Sequence, residues 1–240
     1  SSSQLITEGC STYEGTYTLT GRTSSTSPRP VVQAAVTRLA NLFGCWGPTT
    51  CIIKGIEITG QNKVGGWGML SAETYGESQY PTRQKKGTPT LIFEDIKISN
   101  SVGYSDPTAT GGSNFLVSCT VRWIAVAEQT TRGSLIIRKS IFTDTTAVGN
   151  GGFVYVDGFN VNIEDSLFHG NRNTQQSTHP IINPAIKLIS VGNRTNPATI
   201  LRSNFTSNEI SAAGLVLGGG ALYITGDSDV LIEACRFANN

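Results

Sequence analysis

Six segments of the chain repeat one pattern of apolar and polar positions: apolar, any, apolar, two polar or small residues, then small or apolar, any, apolar. They are Cys51–Ile58, Leu91–Ile98, Leu135–Phe142, Val161–Phe168, Ala198–Phe205 and Val230–Phe237. With the last residue of each taken as position 0, positions −7, −5, −2 and 0 are apolar or small in every copy, and −4 and −3 are mostly charged. A single strand of period two does not generate that spacing. Two short strands with a corner between them do: the first turns −7 and −5 inward, the corner exposes −4 and −3, and the second turns −2 and 0 inward.

The final apolar residues, Ile58, Ile98, Phe142, Phe168, Phe205 and Phe237, are 40, 44, 26, 37 and 32 residues apart. Variable spacing excludes a repeat of fixed length and predicts loops inserted at 71–90, 101–112, 172–183 and 209–217, all rich in turn-forming residues. About half a repeat further on, glycine pairs precede apolar residues at Gly65-Gly66, Gly111-Gly112, Gly151-Gly152 and Gly219-Gly220, with Pro184–Leu188 in the corresponding place of another copy. The glycines predict a tight corner and the apolar run a third strand. Corner, strand, strand, corner, strand is one turn of a right-handed parallel β-helix, here about six coils of three short strands each.

Three copies end in F-x-x-N, at Phe168–Asn171, Phe205–Asn208 and Phe237–Asn240, and one carries Gly219-Gly220-Ala221-Leu222. The alternation of FxxN with GGA[ILV] resembles the repeats of the chlamydial polymorphic outer-membrane proteins and of similar microbial and protist surface proteins. The resemblance covers about residues 50–240 and implies an extracellular adhesive or fibre-forming role. Physically, the rings of Phe142, Phe168, Phe205 and Phe237 are expected to stack from coil to coil. Three residues on, Asn suits a corner, because it tolerates the left-handed region and can join an amide ladder.

The corners carry charges of alternating sign: Lys54, then Glu94 and Asp95, then Arg138 and Lys139, then Glu164 and Asp165, then Arg202, then Glu233. Strands stacked about 4.8 Å apart would turn this order into a ladder of ion pairs. Each exposed pair contributes only about 0–1 kcal/mol. A slipped coil, however, would set like charge on like, so the ladder specifies register.

The N-terminal region, 1–49, breaks the pattern and is expected to be a cap or edge ahead of the coils at 50–240. Val32, Val36, Leu39 and Phe43 share one helical face, with Pro30 suited to the first turn and Gly44 to the stop, which predicts a capping helix over 30–43. The rival reading of this stretch is a strand pair. Thr16–Thr20 alternates as an edge strand. No cap is evident near Asn240, so the coils are expected to continue beyond residue 240 or to receive another subunit.

Composition sharpens this picture. Gly, Thr, Ser and Asn make up 95 of the 240 residues, and charged residues only 15%. That favours turns and strands over helices. A net charge of +1 offers no footprint for nucleic acid. No apolar run is long enough to span a membrane as a helix. Five cysteines, Cys10, Cys45, Cys51, Cys119 and Cys235, form no zinc pattern. Cys45 and Cys51 flank a short loop that a disulfide could close; alternatively both are core thiols, and Cys51 and Cys235 fall at inward positions. The sequons at Asn193 and Asn204 favour a secreted or cell-surface location.

Catalysis finds little support in the residues. Glycoside hydrolysis needs two carboxylates about 5–10 Å apart. The corner acids instead alternate with Arg and Lys. Asp227 and Asp229 sit in a turn, and neither His169 nor His179 has an obvious acid, Cys or Ser partner in the sequence. No cofactor is implied. The sequence therefore points to a structural or adhesive segment of a larger surface or filament protein, partnered by other protein chains, with glycans as a further candidate partner. The alternative is a polysaccharide-binding or polysaccharide-degrading module, with Tyr155 and Tyr223 facing outward beside Lys187.

Overall fold

The computed structural model describes residues 15–22, 24, 26–33, 43–60, 62–64, 70–75, 87–104, 117–122, 132–148, 153–175, 186–212 and 220–240. These residues form strands and turns, and no helix occurs among them. The strands come in rows. The first row is β1 (Gly15–Thr20), β2 (Val31–Gln33) and β3 (Phe43–Trp46). The second is β4 (Thr49–Lys54), β5 (Glu57–Thr59), β6 (Asn62–Val64) and β7 (Leu70–Tyr75). The third is β8 (Thr90–Glu94), β9 (Lys97–Ser99), β10 (Val102–Tyr104) and β11 (Val117–Arg122). The fourth is β12 (Ser134–Arg138), β13 (Ile141–Thr143), β14 (Thr146–Val148) and β15 (Val154–Asp157). The fifth is β16 (Asn160–Glu164), β17 (Leu167–His169), β18 (Arg172–Gln175) and β19 (Ile186–Ile189). The sixth is β20 (Ala198–Leu201), β21 (Asn204–Thr206), β22 (Glu209–Ala212) and β23 (Leu222–Thr225), and the seventh β24 (Val230–Glu233) and β25 (Arg236–Ala238).

Each row gives one strand to each of up to four parallel sheets. One runs β1-β4-β8-β12-β16-β20-β24 and the next β2-β5-β9-β13-β17-β21-β25; the others run β6-β10-β14-β18-β22 and β3-β7-β11-β15-β19-β23. We call these the first, second, third and fourth sheets in the order the chain visits them. The register keeps each repeat position in its own column. Position −5, for example, pairs Ile53 with Phe93, Phe93 with Ile137 and Ile137 with Ile163.

The inward columns form one hydrophobic cluster. Ile53, Phe93, Ile137, Ile163, Phe142 and Phe205 are among its buried members, joined by Val154, Val156, Ile186 and Leu188 from the fourth sheet. Alternating burial along the strands follows from period two: one face meets the core and the other meets solvent.

The corners have a shared backbone solution. Position −3 lies in the left-handed region in every patterned copy: Gly55 at φ 63°, Asp95 55°, Lys139 50°, Asp165 50°, Arg202 47° and Ala234 53°. A second left-handed residue follows position 0 by two: Gly60, Asn100, Asp144, Gly170, Ser207 and Asn239. The corner residues stay in the ladder. The Asp95 N–H donates to Arg138 O (3.0 Å) and the Lys139 N–H to Glu164 O (3.0 Å). One left-handed residue thus redirects the chain without leaving buried backbone groups unpaired.

Two expectations change. A row has up to four strands, not three. The additional strands β6, β10, β14, β18 and β22 each begin four residues after position 0, so the segments at 101–112, 172–183 and 209–217 open with strand before their loops, and 71–75 is strand as well. Much of the remaining insert sequence, like the glycine pairs other than Gly220, lies outside the described residues. Second, the capping helix over 30–43 is not formed where the chain is described: Val31–Gln33 pairs in parallel with Glu57–Thr59, and Phe43–Trp46 with part of Leu70–Tyr75, while 34–42 lies outside the described residues. Val32 occupies the column of Ile58, so cross-strand pairing overrides the helical spacing. Gly15–Thr20 pairs residue for residue with Thr49–Lys54 and is the edge strand of the first sheet, in keeping with the edge strand expected over Thr16–Thr20.

Candidate functional site

The strongest constellation is a paired aromatic and amide ladder. Phe142, Phe168, Phe205 and Phe237 stack with centroids 4.8, 4.9 and 4.8 Å apart and ring planes within 5° of parallel. The second sheet sets this spacing, because position 0 of each row pairs directly with position 0 of the next. Three residues on, Asn171 Nδ2 donates to Phe142 O (3.0 Å) and to Asn208 Oδ1 (2.9 Å). Asn208 Nδ2 repeats this with Phe168 O (3.0 Å) and Asn240 Oδ1 (2.9 Å). In the row above, where Thr145 replaces Asn, its hydroxyl donates to Asn171 Oδ1 (2.6 Å). The Phe of FxxN fills the core, and its Asn satisfies the carbonyl of the Phe one row away.

Position −2 carries a second polar ladder. Ser166 Oγ accepts the Ser140 N–H (3.2 Å), and Ser203 Oγ accepts the Ser166 N–H (3.2 Å). Each hydroxyl donates to the carbonyl two residues before it. Cys235 takes the same place in the last row, its Sγ accepting the Ser203 N–H (3.4 Å). Small size at −2 was visible in the sequence, but the hydroxyl's role was not; the run Ser140, Ser166, Ser203, Cys235 is the signal that carries it.

The charged corner residues fall into two adjacent columns. Position −4 holds Lys54, Glu94, Arg138, Glu164, Leu201 and Glu233, in register. Position −3 holds Gly55, Asp95, Lys139, Asp165, Arg202 and Ala234. Lys54 pairs with Glu94 (2.8 Å) and Arg138 with Glu164 (3.6 Å). Arg202 bridges Glu164 and Asp165, the latter at 2.8 Å. Its hydrogen bond holds the Asp165 carboxyl below the usual carboxylate range.

Asp95 departs from the ladder. Its partners are Arg22 and Arg29, before β2. Arg22 Nε and Nη2 donate to the two carboxylate oxygens at 2.5 Å each, and Arg29 Nη2 reaches Oδ1 at 2.8 Å. Arg29 Nε also donates to the Asp95 carbonyl (2.9 Å). Gly55 makes room for this clamp: a Cβ there would stand 2.5 Å from Arg22 O and 2.9 Å from Arg22 Cγ. Sequence reading missed both arginines, because they lie outside the repeated pattern.

The cysteine and modification candidates resolve as follows. Cys45 is a buried thiol, not bridged to Cys51. Its Sγ lies 3.4 Å from Thr49 O and 3.7 Å from Thr90 O. Cys45 and Cys51 face the core from β3 and β4, which belong to different sheets. Cys10 lies outside the described residues. Asn193 is exposed in a turn, its Oδ1 accepting the Thr195 hydroxyl (2.8 Å), and Asn204 is exposed on β21. His169 is exposed, with Nδ1 2.8 Å from Thr206 Oγ1; His179 lies outside the described residues. Among the described residues no group of His, Cys, Asp or Glu could hold a metal ion.

On the outer face of the fourth sheet, Tyr155, Lys187 and Tyr223 occupy one column. The ammonium lies 5.7 Å from the Tyr155 ring centroid and 6.0 Å from that of Tyr223. Burial pushes the Tyr155 hydroxyl up to about 12, raises Asp157 and lowers Lys187.

The last row is exposed where earlier rows are covered. Ile232 is 41% and Phe237 45% exposed, while Ile200 and Phe205 one row above are at 0%. Comparison with family models, curated proteins and solved structures finds no match for the chain.

Proposed function

We propose that the chain is an extracellular right-handed parallel β-helix segment with a structural or adhesive role in a larger cell-surface or filament protein, without catalysis of its own. Four parallel sheets visited in a fixed order, with one hydrophobic cluster drawn from the first, second and fourth and the turns beside them, support the helical path. The observation that carries the role is the continuous column of stacked Phe rings with its Asn ladder. The FxxN residues are spent on row-to-row cohesion, as a fibre or stalk requires and a catalytic groove does not. The resemblance to the polymorphic outer-membrane protein repeat and the exposed sequons support the surface location. Antibodies against the folded chain are expected to label intact source cells; labelling only after permeabilisation refutes the location.

A second reading, polysaccharide binding, rests on the outward Tyr155–Lys187–Tyr223 column, since ring faces stack on sugars. Retention on a glycan array that is lost in a Tyr155→Ala, Tyr223→Ala double variant would favour it; no retention of the parent chain removes it.

A further inference from the structure

The outer face of the first sheet carries an apolar column. Ile52, Ile92 and Ile136 stand in register on β4, β8 and β12, each partly exposed between strand neighbours that are buried. None of the three is among the residues of the hydrophobic cluster. Thr18 precedes them in the column, and Asn162 and Thr199 follow. On one side run Thr50, Thr90, Ser134 and Asn160, and on the other the position −4 residues Lys54, Glu94, Arg138 and Glu164. Those four charges pair within the chain, Lys54 with Glu94 at 2.8 Å and Arg138 with Glu164 at 3.6 Å, yet their side chains remain 27–48% exposed. A carboxylate accepts several hydrogen bonds, and an ammonium or guanidinium donates several. Each can therefore serve a second charge across an interface.

The order of the charges says what this face fits. A two-fold axis parallel to the strands, lying in the plane of contact between the third and fourth rows, would reverse the rows and keep the columns. It sets Glu94 of one copy opposite Arg138 of the other and Lys54 opposite Glu164, each pair occurring twice. The same operation sets Ile92 on Ile136 and Thr20 on Leu201. Of the axes between rows, this one alone gives all four charges an opposite partner. An axis on the third row would set Glu94 on Glu94 and Lys54 on Arg138, like charge on like. An axis along the stack, with both copies pointing the same way, would set the charges against the Thr50–Asn160 column and form no ion pair. Alternating sign thus makes the face complementary to itself in the reversed orientation and penalises the neighbouring registers.

We propose that the outer face of the first sheet is an interface between two copies of this chain, packed with their row orders reversed. The isoleucine column supplies the apolar contact, and the position −4 charges select the orientation. Six rows about 4.8 Å apart, with strands of five residues rising about 3.3 Å each, give a face of roughly 24 by 16 Å. That is below the ~800 Å² per partner of a standard complex. The pairing is therefore weak, and its charged contacts make it sensitive to salt.

Sedimentation velocity on the 240-residue chain, from about 10 μM to about 1 mM at low salt, is expected to show a reversible dimer that about 0.5 M salt weakens. Glu94→Arg alone sets a cation against Arg138 of the second copy, and Arg138→Glu alone sets an acid against Glu94. Each variant should dimerise about tenfold more weakly than the parent. An equimolar mixture of the two restores opposite charges at both contacts and is expected to regain the parent's affinity as a mixed dimer. A parent chain that stays monomeric at about 1 mM, variants that dimerise like the parent, or a mixture no tighter than its components overturns the proposal. A dimer lost in Ile92→Asp but indifferent to the charge reversals belongs to copies pointing the same way and overturns it too. If either variant lacks the parent's far-ultraviolet β signal, the parent alone decides. Methyl signals of Ile52, Ile92 and Ile136 that become shielded from a soluble nitroxide as concentration rises support the interface; accessibility that does not change with concentration overturns it.

Discussion

Asn171→Ala tests the amide ladder at its most enclosed rung. Asn171, Thr145 and Phe142 are 0–1% exposed. The side chain donates to Phe142 O and Asn208 Oδ1, and its Oδ1 lies 2.6 Å from Thr145 Oγ1 and 3.4 Å from Thr145 N. A hydrogen bond contributes about 0.5–1.5 kcal/mol net, but a buried group left unpaired costs about 1–3 kcal/mol. Alanine takes the amide donor from the Phe142 carbonyl and the acceptor from the Thr145 hydroxyl and N–H where water has little access, while Asn208 Oδ1 keeps the backbone N–H of residue 171. The expected loss is about 3–5 kcal/mol, corresponding to a fall in Tm of roughly 6–20 °C for a chain of this size. Urea unfolding followed by far-ultraviolet circular dichroism measures it, with an unchanged m-value showing that the native state is intact. Asn240→Ala is the control. Its amide makes equivalent bonds at an exposed rung, where water replaces them, so about 1 kcal/mol is expected. If Asn171→Ala costs less than about 1 kcal/mol, or no more than Asn240→Ala, the ladder does not hold the corners together.

Further outcomes follow from the same geometry. Phe168→Ala opens a cavity between two stacked rings and should cost about 3–5 kcal/mol, against a smaller loss for Phe237→Ala at the exposed end, both read by urea midpoints. Gly55→Ala should destabilise by more than about 1 kcal/mol, since φ is 63° and its Cβ would press on Arg22 O. Lys139→Gly should stabilise by up to about 1 kcal/mol, because it removes a side chain from a left-handed corner whose Lys makes no ion pair among the described residues. The Arg22 hydrogen bond, aided by Arg29, holds the Asp95 carboxyl below its ordinary range. The stability from this clamp is therefore full above the unfolded-state value near 3.9 and is lost as pH falls through the lower folded value. Asp95→Asn should destabilise the chain at neutral pH and flatten that acid limb in thermal melts between about pH 2 and 5.

The inward columns were legible because they repeat: positions −7, −5, −2 and 0 of the first five segments became the buried interior, and FxxN became a ring stack with an amide ladder. The third sheet was not legible. Its strands are three or four residues long, and Arg172–Gln175 or Asn62–Val64 have too little apolar alternation for a period-two signal. Their fixed start four residues after position 0 is the cue that would have found them. The helix expected over 30–43 came from genuine helical spacing, which the pairing of Val32 with Ile58 overrides. The alternating charges were visible, but their division into two columns depends on the left-handed turn at −3, which Lys139, Arg202 and Ala234 do not advertise. The clamp of Arg22 and Arg29 on Asp95 spans residues 66 and 73 apart in sequence, a distance no local pattern encodes.

The central claim is that the rows wind into one right-handed parallel β-helix built for cohesion along its axis. An X-ray structure of the 240-residue chain tests it most directly. Successive rows advancing right-handedly by about 4.8 Å, with Phe142, Phe168, Phe205 and Phe237 in one interior column, are the expected result. A left-handed path, sheets that do not close around the core, or rings dispersed among separate columns would contradict it.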